Sequence, residues 1–282
     1  MTERTQPETA EGRSAARYMV VNAGNGILRA CVGDGAAMSM TIDRRWQCEP
    51  ADALSRLEDM VYEQPSLFDD IDTILLLSPT VSVVTPRELV GDDPEAIAAV
   101  LDRYDLSESK DCFAEPIGDA DDNLLLYTMP AGMRGFLGRC FPTEKVSHEL
   151  LPFVRCFLSA AYAERGDRMW ADIHDSRVDV AAFRDGRLLL LNTWRWHNSA
   201  DILYYLVCCW RALGLDSAGG QLCVSGPADV RGALLPELRK YVNYVAMPSL
   251  PRNVRSLLSS GLPLNAVRSV IEMESGVNGA KS

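Results

Sequence analysis

Few residues in this chain stand where side-chain chemistry is easy to build. In DIHDS, residues 172–176, Asp172 and His174 are two apart, so the carboxylate can orient the imidazole as a general base. A polar pair that satisfies itself at a strand end needs the same two residues, and that is the plainer expectation. The three histidines, at 148, 174 and 197, have no His partner four residues away, and the eight cysteines contain no Cys-x-x-Cys pair. No metal centre or dithiol redox site is therefore expected. GDGA at 33–36 lacks the Lys-Ser/Thr ending of a phosphate loop, and GDADD at 118–122 lacks the glutamate that completes a calcium loop. The first reads as a hairpin turn and the second as a solvated acidic loop. Trp194, Trp196 and His197 form the bulkiest polar-aromatic cluster. Strand alternation puts the two tryptophans on one face, where they either form a partner surface or close a core between two domains.

The elements that must hold these residues are set by composition and periodicity. The chain has 282 residues, 47% hydrophobic and 24% charged, with room for two packed domains. Its formal charge of −11 would repel a phosphate backbone, so nucleic acid is excluded as an expected partner. Residues 1–16 and 275–282 lack apolar runs and are expected as tails. No basic segment followed by an apolar run opens the chain, which suggests a cytoplasmic protein. Within the most apolar stretch, residues 188–216, the uninterrupted run is Ile202 to Trp210, too short for the ~20 residues of a membrane span. Asn198 or Ser199 can cap a helix there with Asp201 in its first turn, and Gly214 can stop it. Because residues 199–213 are apolar on nearly every face, the expectation is a helix buried between two layers.

The hairpin signals repeat. Asn25-Gly26 and Asp34-Gly35 divide one set of three strands, and the turns at Asp175 and Asp185-Gly186 divide another, at offsets of 150 and 151 residues. After the first set come PADALSRLEDMVYE as helix, DTILLLSPT as strand, PEAIAAVLDRY as helix and NLLLYTMP as strand. After the second come the helix 199–213, the strand QLCVSGP, the helix ADVRGALLPELRKY and the strand VNYVAMP. The four leucines 188–191 suggest a strand covered on both faces. The expected fold class is α/β with two tandem mixed-sheet domains, 17–166 and 167–274.

Three antiparallel strands followed by helix, strand, helix, strand, twice over, resembles the duplicated ribonuclease-H-like arrangement of actin-like ATPases, over roughly residues 17–260. LLLNTWRWHNSADILYYLVCCWRALGLD, LCVSGP, LRKYVNYV and MPAGMRGFLGRCFPTEKVSHELLPF are similar to stretches of a Bacteroidetes family that has this fold and no assigned biochemical function. The resemblance implies where a nucleotide would sit. Nucleotide-using members carry an Asp-x-Gly turn in each domain, whose acid holds a hydrated cation, and a glycine pair that lets adenosine approach. Here Asn22 takes the first acid's place, with Gly24 and Gly26 in the turn. Asp172 keeps the second acid, while His174 takes the glycine position. Ser225 and Gly226 precede Pro227, which removes an amide donor. These departures imply no required cofactor and no catalytic residue. The implied function is a scaffold that binds a protein partner, as actin-like components of type II secretion and type IV pilus machines do, with a homodimer as one form. ATP with magnesium, in a divergent ATPase or phosphotransferase, is the alternative, and a ligand sensor without turnover a third reading.

Overall fold

The computed structural model describes residues 17–24, 27–34, 39–47, 52–65, 73–78, 80–118, 122–141, 144–163 and 165–248. Both expected tails, Asn25-Gly26, Gly35 and residues 119–121 of the acidic loop lie outside them.

The carboxyl-terminal half shows the architecture most directly. Strands β9 (Asp167–Ile173), β10 (Arg177–Arg184) and β11 (Arg187–Arg195) form an antiparallel meander. Asp185 and Gly186 both take positive φ, 51° and 84°, as a two-residue hairpin turn that follows the twist of its strands requires. Helix α6 (Ser199–Ala212), strand β12 (Gln221–Ser225), helix α7 (Ala228–Leu238) and strand β13 (Tyr244–Ala246) follow, and the sheet order is β11-β10-β9-β12-β13. Strand β12 runs parallel to β9 and β13.

The amino-terminal half repeats this pattern. Strands β1 (Arg17–Gly24), β2 (Ile27–Asp34) and β3 (Ser39–Gln47) form the meander, followed by helix α1 (Ala53–Glu63) and strand β4 (Thr73–Ser78). The order is β3-β2-β1-β4-β8, where β8 is Glu144–His148, parallel to β4. The meanders β1–β3 and β9–β11 therefore lie in two separate sheets of the same strand order, a duplicated ribonuclease-H-like arrangement.

Two expectations for the first half need correction. PEAIAAVLDRY and NLLLYTMP do not supply its last helix and strand. They are α3 (Pro94–Leu101) and β7 (Asn123–Pro130), which belong to an insertion between β4 and β8. Here β7 lies between β5 (Ser82–Pro86) and β6 (Lys110–Pro116) in a three-stranded antiparallel sheet, and the short α2 (Arg87–Val90) joins β5 to α3. Leu124 and Leu126 pack toward α3, Leu125 toward the helix that follows β8, and Tyr127 and Met129 into the first core. A strand buried on both faces has the apolar run of a parallel core strand, and periodicity cannot separate the two. The true fifth strand, EKVSH, is polar and carries no such signal. Helix α4 (Met133–Cys140) precedes it, with Phe136 and Leu137 buried in the first core.

Helix α5 (Leu150–Ala163) leads from β8 into the second half. It packs through Phe153, Val154, Phe157 and Leu158 onto Trp170, Ala181 and Phe183. The other face of that sheet carries α6 and α7, with Ile202, Leu206, Trp210, Leu234 and Leu238 over Met169, Ala171 and Val180. Asn198 caps α6 in a reciprocal capping box with Asp201, and Gly214 follows at φ 60°.

The expectation that α6 is buried all round fails. Only the face at Ile202, Leu206 and Trp210 is buried, while Tyr204 is 65% exposed and Cys208 is exposed. The leucine run 188–191 is likewise an edge strand with Leu189 open to solvent. Among the described residues no helix is long and apolar enough to cross a membrane.

The two faces of α6 should answer differently to a charge. Leu206 is fully buried, so Leu206→Asp should cost several kcal/mol out of a total of about 5–15 and remove the soluble protein. Tyr204→Asp should leave soluble yield and melting temperature nearly unchanged. Equal tolerance of the two substitutions would contradict the packing described.

Candidate functional site

The polar residues of interest lie in one row across the second sheet. Thr193 of β11 pairs with Asp179 of β10, Asp179 with Asp172 of β9, and Asp172 with Ser225 of β12. Trp170, two residues before Asp172 on β9, belongs to the core under α5, so the row lies on that face of the sheet. Asp172 and Asp179 are 4% and 1% exposed. Two buried acids side by side would repel, and the chain resolves this with cations of its own.

His174 leaves β9 and turns back over both acids. Its Nε2 is 2.8 Å from Asp179 Oδ2 and 3.5 Å from Asp172 Oδ2. Thr193 Oγ1 donates to Asp179 Oδ1 at 2.7 Å, and Ser225 Oγ donates to Asp172 Oδ1 at 2.5 Å. Burial opposes the imidazolium, but the charges of Asp179 and Asp172 outweigh it and raise the His174 pKa to about 9. Asp179 is also penalised by burial, and its bonds to His174 more than reverse this, holding the carboxyl below its ordinary range.

A second cation completes the cluster. Arg177 is buried, with Nη2 2.5 Å from Glu149 Oε2 and Nε 3.5 Å from Asp179 Oδ1. Glu149 lies between β8 and α5, so this ion pair joins the end of the first sheet to the first hairpin of the second. The neighbouring His148 is 2% exposed; its Nδ1 accepts from the Leu150 amide, which leaves Nε2 to donate to the Thr80 carbonyl at 3.0 Å. Burial drives the His148 pKa down to about 4, so this histidine is neutral.

The hairpin beneath His174 is held from outside. The His174 amide donates to the Arg177 carbonyl, and the Trp196 indole N–H reaches the carbonyls of both His174 and Arg177 at 3.0 Å. Trp194 stacks on Tyr205 with ring centroids 5.7 Å apart. Both tryptophans pack against the core of the second sheet, not between the two halves. His197 is exposed, and its backbone amide donates to Asp201.

The remaining candidates separate. Asn22 lies on β1 opposite Arg29 and Leu77, and Gly24 ends that strand opposite Ile27. Gly26 lies outside the described residues. Gly226, at φ 123°, is small for a structural reason, because a Cβ there would meet the Ile173 carbonyl oxygen at 2.6 Å and its Cβ at 2.7 Å. It lets the end of β12 close on the end of β9.

Sequence reasoning missed Glu149, Arg177, Asp179 and Thr193. Asp179 was findable, since an acid inside RVDVAAF interrupts an otherwise apolar strand and such acids are rarely buried without a partner. Glu149 had no comparable signal.

A hydrated magnesium ion at Asp172 would need free carboxylate oxygens. One oxygen already accepts the Ser225 hydroxyl and the other faces His174. The residues present do not fit that ion.

The chain belongs to a family of proteins of unknown function, DUF3822, whose profile matches residues 7–245. Its structure is similar to that of a Bacteroides thetaiotaomicron protein described as having an actin-like ATPase fold and unknown function. The TM-score is 0.68 at 17% identity, covering 87% of this chain and 96% of that one. A PilM–PilN type IV pilus biogenesis complex gives a TM-score of 0.53 at 12% identity over 93% of this chain and 99% of that chain. No curated protein sequence matches the chain. The fold is that of the actin-like ATPases, with the ribonuclease-H-like sheet present twice.

His174 and His148 should titrate in opposite directions. His174, with its pKa raised to about 9 from 6.5, supplies stability that is full below pH 6.5 and is lost as pH rises through about 9. His148, lowered to about 4, supplies stability present above pH 6.5 and lost as pH falls through about 4. In an NMR titration the His174 ring should stay protonated at pH 8 and the His148 ring neutral at pH 6. A His174 midpoint near 6.5 would refute the ion-pair geometry. Separately, Gly226→Ala should cost more than about 2 kcal/mol in denaturant unfolding, because it combines a positive φ with a backbone clash. A cost below about 0.5 kcal/mol would show that β12 and β9 are not so tightly closed.

Proposed function

We propose that this member of the DUF3822 family is a non-catalytic actin-like scaffold that works by binding a protein partner in the cytoplasm. The observation that carries the reading is the engagement of Asp172 by the chain's own groups. Its oxygens take the Ser225 hydroxyl and face the His174 imidazolium, so the chain itself fills the place of a cation. One backbone amide of this hairpin is also committed, since the His174 amide bonds across the turn to Arg177. Gly226 packs on Ile173, which gives it a role without adenosine. The fold suits a partner-binding role, being shared with the PilM–PilN complex. Free thiols at Cys112, Cys140, Cys208, Cys209 and Cys223 suit a reducing compartment.

The competing reading is a divergent ATPase or phosphotransferase, favoured by the acid retained at the end of β9. Thermal shift separates the two. A nucleotide that binds only the native state would stabilise it by about 2.7 kcal/mol at a hundredfold excess over its dissociation constant. The native protein should show no magnesium-dependent shift at millimolar ATP, and Asn22→Asp with His174→Gly should gain one if the fold around the site tolerates the change. A clear shift in the native protein, abolished by Asp172→Ala, would overturn the scaffold reading and make the phosphotransferase reading the better one.

A further inference from the structure

The charge of this protein is concentrated in one element. Residues 82–130, the part of the insertion from β5 to β7, hold twelve Asp and Glu against three Lys and Arg, a formal −9 of the −11 for the whole chain. Glu88, Asp92, Asp93, Glu95, Asp102 and Glu108 are all exposed there.

Within this acidic surface two large apolar side chains are held in water. Leu106 is 87% exposed and Tyr104 60% exposed, both in the segment that joins α3 to β6. That segment is tied down at many points. The Asp105 carboxylate accepts from the Ser107 amide at 3.0 Å, the Ser107 hydroxyl at 2.8 Å and the Thr128 hydroxyl of β7 at 2.6 Å. The amides of Tyr104 and Asp105 donate back to Leu101, and Lys110 binds the Asp105 carbonyl and pairs with Asp102 at 2.9 Å. A loop free to move could fold these side chains inward; this one is fixed with both outside. A backbone held in this way costs little further entropy on association.

We infer that the α3–β6 loop of the insertion is the docking surface for a basic, amphipathic segment of another protein, with Tyr104 and Leu106 as its apolar anchors. The inference rests on the scaffold reading and names the chemistry of its partner. Charge decides the occupant. A second copy of this chain would bring an equally acidic insertion to the contact, and nucleic acid or an anionic membrane would be repelled. A cationic segment with an apolar stripe is complementary on both counts: its Lys and Arg meet the exposed acids, and its stripe covers the two anchors. Helix α3 has eight residues and is about 12 Å long, so the acids before its first turn and those of the loop lie within reach of one such segment.

The test uses the full-length protein and a fluorescent Lys/Leu amphipathic peptide about 18 residues long, roughly five helical turns, against a Glu/Leu peptide of the same pattern. The Lys/Leu peptide should bind saturably in anisotropy titrations and weaken with salt, and the Glu/Leu peptide should not bind. Tyr104→Ser with Leu106→Ser should weaken binding at least tenfold without moving the melting temperature, whereas Tyr204→Ser on α6 should leave it unchanged. Absence of saturable binding, equal binding of both peptides, or binding unaffected by the loop variant overturns the proposal. A magnesium-dependent ATP shift alongside intact peptide binding would remove the scaffold reading and leave the docking surface. Failure of the peptide with ATP inert would do the reverse.

Discussion

Two cations, Arg177 buried and His174 half-buried, packed among three carboxyl groups set the terms for the structure around them. An unpaired charge in a protein interior costs several kcal/mol, so His174 and Arg177 are tolerable only where their partners reach them. His174 needs Asp179 from β10 and lies near Asp172 from β9, while Arg177 needs Glu149 from the junction of β8 and α5. These partners come from both halves of the chain. The cluster is satisfied only with the start of α5 seated against the β9–β10 hairpin, so the electrostatics specify that seating more narrowly than the apolar contacts under α5 could. The Trp196 indole, bridging two carbonyls of the same hairpin, keeps the turn from relaxing away.

Comparing the two repeats shows why a histidine is required. At an offset of 150 residues Asn22 corresponds to Asp172 and Arg29 to Asp179, and each forms a cross-strand pair within its own meander. The first half thus pairs an asparagine with an arginine, two residue types without like charges. The second half opposes two acids, which by cross-strand proximity alone is destabilising. His174 and Arg177 offset that repulsion. The same topology therefore holds two different electrostatic solutions, and only the second demands a cation at the mouth of the hairpin.

Much of this architecture was legible because hairpins are local. Asp185-Gly186 fixed a turn, Asn198 with Asp201 fixed a helix start, and the repeated spacing exposed the duplication before any long-range contact was known. What was lost depended on neighbours that the sequence cannot name. NLLLYTMP has the pattern of a buried parallel strand, and only pairing with β5 and β6 makes it the centre of an insertion. Helix α6 is apolar all round, yet just one layer covers it, so its composition overstates its burial. At the site, Asp172, His174 and Ser225 were named from motif positions, but their mutual bonding follows from strand register, and Glu149 arrives from a segment with no motif at all.

Survival of a motif position is a weak guide to chemistry in such a site. An active centre keeps polar groups incompletely satisfied so that a ligand can complete them, whereas here Asp172, Ser225 and Gly226 each have a partner within the chain. Asp172 receives a hydroxyl and faces an imidazolium, Ser225 spends its proton on that acid, and Gly226 is small because Ile173 lies against it. A group of this kind is kept by the cost of leaving its partner bare, since removing one member strands a buried charge or an unmet donor. On the scaffold reading Asp172 and Gly226 keep these structural roles whether or not any nucleotide enters, and that reading directs the search for partner contacts to side chains the chain leaves unsatisfied, outside this row.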